Sequence, residues 1–312
     1  MFVRRPVSRF RNPLNRSWGP VGVLLPALLF LICSSPASAQ VPPPASGAVL
    51  LPDTPAPVWL DRDGKPLPFA STEELLDFLR TARVVRYREI RGITRPYEVL
   101  LEKGDIRMRG AFNYATEEKA VVTLAQTGTQ IGFRDTYLFN LAAYELSRLL
   151  GLDNVPPAVE RKVAGKRGAL SAWIENAMEE RTRRARKIEP PDVERYNQQV
   201  YVMHVFDALI ENTDRTLENV LIGPDWKVWM IDHTRAFRRS PELKSPEALG
   251  HCERRLWEKL RTLDEAVVRE RLKKILRRDE LDALLQRRQK LVEHFQKLIE
   301  ERGEANVLYT LP

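Results

Sequence analysis

Apolar positions follow two different periods along this chain. Between residues 82 and 115, three segments alternate or run β-branched: ARVVRYREI (82–90), RPYEVLLEKG (95–104) and DIRMRGAFNYA (105–115). They predict three strands, with Gly104-Asp105 as a turn. Ser71-Thr72-Glu73-Glu74 carries a capping signal for a short helix over roughly 72–82. Leu138, Leu141, Ala142, Leu146, Leu149 and Leu150 fall close to helical spacing, predicting a helix over 135–150 that Gly151 closes. VPPAVERKVAG and RGALSAWIENA read as two further strands joined by a Gly-Lys-Arg-Gly turn. From about residue 193 the pattern is helical. Val202, Val205, Phe206, Leu209 and Ile210 form one apolar face of a helix ending near Glu211. Charged helices fit about 246–261, 264–277 and 279–302. EERTRRARKIEPPD (179–192) reads as a basic linker or loop, with Pro190-Pro191 as a breaker. No internal repeat is present. A strand-rich half (59–178), a hinge-like strand near Trp173-Ile174-Glu175 and a helical half (179–312) predict a two-lobed α+β layout.

The N-terminus changes how the charge is read. Five arginines and no acid lie in residues 1–39, so the formal charge of +8 falls to +3 without them, 45 basic against 42 acidic residues. That weakens the case for a general nucleic-acid binder, and interspersed acids make the C-terminal helices solvated faces. The basic start is followed by VGVLLPALLFLIC and then Ala37-Ser38-Ala39. This is the pattern of a signal peptide cleaved after Ala39, which predicts export to a periplasmic or extracellular space. The apolar run is short for a bilayer and Pro26 interrupts it; no other stretch is long enough to span one. Ile32 precedes Cys33, where a lipidation signal calls for a small residue. Residues 40–58 read as a Pro/Ala-rich tether. Cys252 is then the lone cysteine of the mature chain, expected as a buried small residue without a disulfide.

The chemistry concentrates in ENTDRTLENVLIGPDWKVWMIDHTRAF, residues 211–237. Gly223, Pro224 and Asp225 make a turn that folds KVWMI back along NVLI. Asn219 then opens one strand and Asp232 closes the other, about one strand spacing apart and beside Asp214. An Asp and an Asn at one strand end make a hard, oxygen-rich site suited to Mg²⁺ or Mn²⁺ bridged to phosphate oxygens. Phosphoryl transfer needs such a division: one Asp positions the nucleophile while Asn and a second Asp hold metal. Arg215 is placed to steady the loop by pairing with a carboxylate or phosphate. Against this stands a capped helix followed by an ordinary polar hairpin, which does not require Asn212, Asp214, Asn219 and Asp232 together.

FDALIENTDRTLENVLI followed by MIDHTRAF resembles the catalytic and metal-binding segments of the atypical kinase superfamily. That group includes phosphatidylinositol 3/4-kinases, HipA-like kinases and secretory-pathway Fam20-type kinases. The Asn-x-Asp-Arg core and the Asp-x-x-Arg-x-Phe that follows resemble the Fam20 type most. YLFNLAAYELSRLLGLDNVPPAVERKV is similar to the upper-lobe helix and following strand of bacterial members. The resemblance covers about residues 84–240. It implies a two-lobed protein-kinase-like fold with a strand-rich N-lobe and a helical C-lobe. It also implies ATP or another nucleotide with Mg²⁺ or Mn²⁺ as cofactors. Asp214 is implied as the catalytic Asp with Arg215 beside it, Asn219 and Asp232 as metal ligands, and Arg235 and Phe237 as support.

The chain departs from that pattern at two positions. An upper-lobe Lys–Glu pair is expected where this sequence has Asn113 and Asn140. Losing a cation that grips the phosphates weakens transition-state stabilisation; Lys103, Arg109 or Lys119 is a candidate substitute. Gly92, Asn113, Asn140, Trp173 and Glu175 are the candidate nucleotide contacts, although Gly92 also suits a plain strand bend. Glu218 is a further candidate metal ligand. His204 is expected to be packed on its helix, and His233 to be structural or to face the nucleotide. Three functions compete: a phosphotransferase acting on a hydroxyl of a protein, lipid or glycan; a pseudokinase that binds nucleotide with weak or no catalysis; and a helical interaction protein. Export leaves the donor open, because nucleotide triphosphates are scarce outside the cytoplasm. A different phosphorylated donor or nucleotidyl transfer suits the same metal site.

Overall fold

A computed structural model describes residues 58–311, except 91, 93, 125–127 and 213. The expected signal peptide at 1–39, with Cys33, and all of the expected 40–58 tether but Val58 lie outside the described residues. Among the described residues no helix is long and apolar enough to cross a membrane.

The fold is a mixture of antiparallel sheet and helix. Helix α1 (Thr72–Thr81) starts where Ser71 accepts a hydrogen bond from the Glu74 amide. Strands β1 (Arg83–Glu89), β2 (Tyr97–Lys103) and β3 (Ile106–Asn113) follow. The expected Gly104-Asp105 turn joins β2 to β3 with Gly104 at φ +59°, a conformation that glycine adopts without strain. Then come β4 (Thr116–Leu124), β5 (Gly128–Thr136), α2 (Leu138–Leu149), β6 (Ala158–Val163) and β7 (Lys166–Ala172). One antiparallel sheet has the order β1-β2-β3-β7-β6. Gly168 in β7 lies against the Asn113 carbonyl and the Phe112 ring, where a Cβ would collide with both. That close approach seats the end of β3 on β7. Leu75, Leu79, Val99, Leu101, Phe112, Leu146 and Leu170 meet in the core, each at most 1% exposed. Each such side chain contributes about 1.5–3 kcal/mol by leaving water.

Three expectations need correction here. Residues 116–136 form an antiparallel ribbon, β4–β5, that the apolar pattern does not announce. It carries strand structure through Thr136, so α2 begins at Leu138 rather than 135. The β6–β7 turn sits at Ala164-Gly165, one position earlier than the expected glycine-bounded tetrapeptide, because those two residues take the positive φ values of 50° and 77°.

The basic segment 179–192 is also not a plain linker. After β8 (Met178–Glu179) it forms helix α3 (Glu180–Ala185). Glu180 is 2% exposed and collects Arg183, Arg184 and the Tyr196 hydroxyl. A buried acid ordering three donors is what turns the basic run into structure. Helix α4 (Val193–Ile210) is capped by Asp192 and carries the apolar face expected for it: Val202, Val205, Phe206, Leu209 and Ile210 are all buried. His204 is exposed on the opposite side, contrary to the packed position expected. Strands β9 (Val220–Ile222) and β10 (Val228–Met230) join β8 in a second antiparallel sheet, β10-β9-β8. Beyond β11 (Cys252–Glu253) lie α5 (Arg254–Thr262), α6 (Glu265–Leu272), α7 (Arg278–Arg302) and β12 (Leu308–Tyr309). The helix expected over 246–261 is therefore a single 3-10 turn at Pro246–Ala248 and then α5, because β11 pairs in parallel with β12 between them. Cys252 is buried and free, as expected.

Two buried ion pairs join α7 to the rest. Arg134 on β5 donates to both Glu280 oxygens at 2.5 and 2.6 Å. Arg287, fully buried, donates to the carbonyls of Leu209, Arg238 and Ser240 and pairs with Glu211. Breaking such a pair from one side costs about 3–5 kcal/mol.

Burial works to raise the Glu180 pKa, but hydrogen bonds from Arg183, Arg184 and Tyr196 overcome it and bring the carboxyl down to about 2. A depressed carboxylate stabilises the folded state above its unfolded value near 4.5, and that stabilisation is lost as pH falls toward 2. The shift corresponds to roughly 3 kcal/mol. Urea denaturation at pH 5 and pH 3 is expected to show Glu180→Gln losing less stability over that interval than the parent chain. Equal losses rule out Glu180 as a source of the acid sensitivity.

Candidate functional site

The site is assembled by the loop between α4 and β9. Arg215 is the piece that shapes it, with its side chain 10% exposed. Its Nε and Nη2 donate to the two Asp207 oxygens of α4, both at 2.9 Å. Its Nη1 donates to the carbonyls of Asn219 and Ile231, both at 2.7 Å. Those carbonyls flank the open end of the β9–β10 hairpin, so one guanidinium ties both strands to the helix. Arg215 thus pairs with a carboxylate, one of the two partners expected for it. Asn212 closes the preceding turn: it donates to Asp207 at 3.0 Å and accepts from the Asp214 amide at 3.2 Å.

The hairpin turn is where the sequence puts it. Gly223 donates to Lys227, and Trp226 donates back to Gly223. In register, Val220 opposes Met230, and the Ile231 amide donates to the Asn219 carbonyl at 3.2 Å. Asn219 and Asp232 consequently line the same end of one cleft. Asn219 donates through Nδ2 to the Asp214 carbonyl at 2.9 Å, which fixes its amide plane and leaves Oδ1 as an acceptor. Asp232 sits at φ +52°, a left-handed position uncommon for a side chain other than glycine. Its carboxylate accepts from the Thr234 hydroxyl at 3.1 Å and from the Thr234 amide. Burial foremost, with the Asp135 and Asp214 carboxylates adding to it, pushes the Asp232 carboxyl above its usual range against those two hydrogen bonds. Arg235 lies among these three acids as their nearby countercharge.

The cleft has a volume of about 1000 Å³. It gathers Gly92, Asn113, Asn140 and Trp173 with Asn219 and Asp232, whereas Glu175 and the expected catalytic pair Asp214 and Arg215 are not among its lining residues. Gly92 faces it from the turn before β2; a Cβ there would stand 2.9 Å from the Pro96 ring. Asn113 accepts from the Ala115 amide at 2.9 Å, and Asn140 accepts from the His233 amide at 2.7 Å. Each asparagine is thus held by backbone beside it. His233 is 2% exposed, its ring edge-on to Phe206. Burial, then the Arg215 charge, holds the imidazole well below its ordinary pKa, so it stays neutral. Glu175 is buried, its side chain 1% exposed and taken up by a bidentate pair with Arg109. Arg109 also stacks over the Trp173 ring at 4.8 Å and lines the cleft. Of the three substitute cations, Lys103 pairs with Asp77 and Lys119 with Glu117; Arg109 is the one in the cleft wall. Glu218 lines the cleft and pairs with Arg181.

Asp135 is a neighbour of this loop that sequence reasoning missed. It lay within the expected start of α2, where a strand position carries it instead, 3% exposed. Arg235 lies between it and Asp214, at 2.7 Å and 3.2 Å.

The residues fit a sparse divalent site. Among the described residues no group of three His, Cys, Asp or Glu side chains converges to hold a metal. One carboxylate, Asp232, and one amide oxygen, Asn219, match the way Mg²⁺ is held by few protein ligands together with waters and phosphate oxygens.

Replacing Arg215 with Ala leaves Asp207 and two carbonyls without their donor. About 3–5 kcal/mol of stability is expected to go, lowering Tm by roughly 10 °C. Arg215→Lys is expected to recover part of it, because an ammonium cannot reproduce the planar fork. Thermal unfolding checks both; an unchanged Tm in the Ala variant removes the clamp from the argument.

No family model matches the sequence, and no curated protein matches it by sequence. Among solved structures the chain is similar to that of hydra Fam20 with sugar, at a TM-score of 0.57 and 16% identity, covering 77% of this chain and 92% of that one. The fold is therefore kinase-like.

Proposed function

We propose that this chain is an exported, metal-dependent phosphotransferase that moves a phosphoryl group from ATP or another nucleotide to a hydroxyl of a protein, lipid or glycan. The reading is carried by one observation: a single cleft brings Asn219 and Asp232 to one end, with Gly92, Asn113, Asn140 and Trp173 around it. The kinase-like fold supports it, and the two lobes and export are part of the same reading.

In this reading the acceptor oxygen attacks the terminal phosphorus and the bond to the departing diphosphate breaks. Asp214 orients the acceptor hydroxyl and takes its proton. Asn219 and Asp232 hold Mg²⁺ or Mn²⁺, which supplies positive charge to the phosphate oxygens when bound. Trp173 and Arg109 border the nucleotide, and the buried Glu175 holds Arg109 from behind. Arg215 acts by position, fixing the base of the hairpin.

A second reading, a nucleotide-binding pseudokinase, is favoured by Asn113 and Asn140. Both stand where a Lys–Glu pair is expected, and both are held by backbone amides.

Thermal unfolding of the mature chain with nucleotides, with and without Mg²⁺ or Mn²⁺, tests binding. A ligand at 100 times its Kd adds about 2.7 kcal/mol to the folded state. A metal-dependent rise in Tm is expected, and Asp232→Ala is expected to abolish it; a rise that survives the substitution argues against the metal role. Asp214→Ala is expected to keep the rise and lose turnover by about 100-fold or more. Turnover equal to that of the parent chain reassigns the proton acceptor. Binding without turnover in the parent chain selects the pseudokinase.

A further inference from the structure

The loop after Asp232 is held from an unexpected direction. Ribbon β4–β5 ends at Thr136, whose amide donates to the Thr234 carbonyl at 2.9 Å. One residue earlier, Asp135 Oδ2 accepts from Arg235 Nε at 2.7 Å. The same guanidinium donates through Nη1 to Asp214 Oδ2 at 3.2 Å. Asp135 is 3% exposed, and its Oδ1 is buried without a hydrogen-bond partner among the described residues. An unsatisfied buried carboxylate oxygen costs stability. Packing alone is served better by an apolar side chain at that position, so the acid answers to something else nearby.

The geometry of the arginine supplies it. An arginine beside a lone carboxylate tends toward a two-pronged pair that occupies both oxygens. Arg235 is drawn to Asp135 through Nε and meets Asp214 with one nitrogen on one oxygen. Asp214, its side chain 34% exposed, keeps its other oxygen clear of that contact.

We propose that Asp135 is a positioning residue, fixing Arg235 so that Asp214 is gripped by one oxygen and aimed by the other. This rests on the phosphotransferase reading. Asp135 touches neither nucleotide nor acceptor in it; it acts through Arg235. The β4–β5 ribbon is then a working part of the site, because it delivers this carboxylate.

The test compares Asp135→Asn, Asp135→Glu and Arg235→Gln in full-length mature protein. Asp135→Asn is expected to lower kcat by about 10- to 100-fold, the loss typical of a misaimed group. KM for the nucleotide and the metal-dependent rise in Tm are expected to stay, and Asp135→Glu to recover part of kcat. In an Arg235→Gln background, Asp135→Asn is expected to add little further loss, since two residues acting through one contact are not additive. A crystal structure of Asp135→Asn is expected to show Arg235 on both Asp214 oxygens. Wild-type kcat in Asp135→Asn, or an Arg235 that keeps its single contact there, overturns the proposal. Where Asp135→Asn does not fold, Arg235→Gln decides: a kcat equal to the parent's overturns it. A parent chain without turnover on any nucleotide defeats the functional reading, and the Arg235 geometry in the crystals then decides the positioning by itself.

Discussion

Four hydrogen bonds from one guanidinium hold the candidate site in shape. Arg215 grips Asp207 with two nitrogens and the carbonyls of Asn219 and Ile231 with the third. Helix, loop and both hairpin strands meet at that side chain. A three-residue strand pair has little stability by itself, so β9–β10 depends on being tied down and on pairing with β8. With the open end fixed, Asn219 and Asp232 both come to line the cleft. The planar fork is what makes this possible, because it satisfies acceptors on two elements in fixed directions.

Around that clamp the charges are unevenly matched. Asp207 is answered by Arg215, while Asp135 and Asp214 share Arg235, and Asp232 has two Thr234 donors. Burial and neighbouring acids raise the Asp232 pKa. The wall near Trp173 is different: Arg109 pairs with Glu175, Arg88 pairs with Glu98, and Arg109 stacks on the aromatic ring.

Much of this was legible in the order of residues. The 3.6-period apolar face of α4, the turns at Gly104 and Gly223, and the meeting of Asn219 with Asp232 all follow from local chemistry. Less legible were the parts that depend on distant partners. Ribbon β4–β5 carries an exposed run of Glu117, Glu118 and Lys119 and shows no strong alternation. α3 looked like a linker because its arginines hide the acid that orders them, and Tyr196, which completes that set, comes from α4. His204 looked packed from its helix, but apolar periodicity does not say which way a single polar residue faces.

By itself, the sequence determined the elements whose causes lie within a few residues: capped helices, glycine turns, and a hairpin that brings one amide and one carboxylate to a common end. Hydrogen bonding and hydrophobic periodicity act at that range, so a linear reading captures them. Only the tertiary structure decided which carboxylates share Arg235, which cation stands in the cleft wall, and that Asp135 reaches Arg235 at all. Those outcomes turn on contacts between residues a hundred or so positions apart, such as Asp135 with Arg235, and on burial. Neither is encoded in any one segment; both arise when separate segments exclude water from the same place.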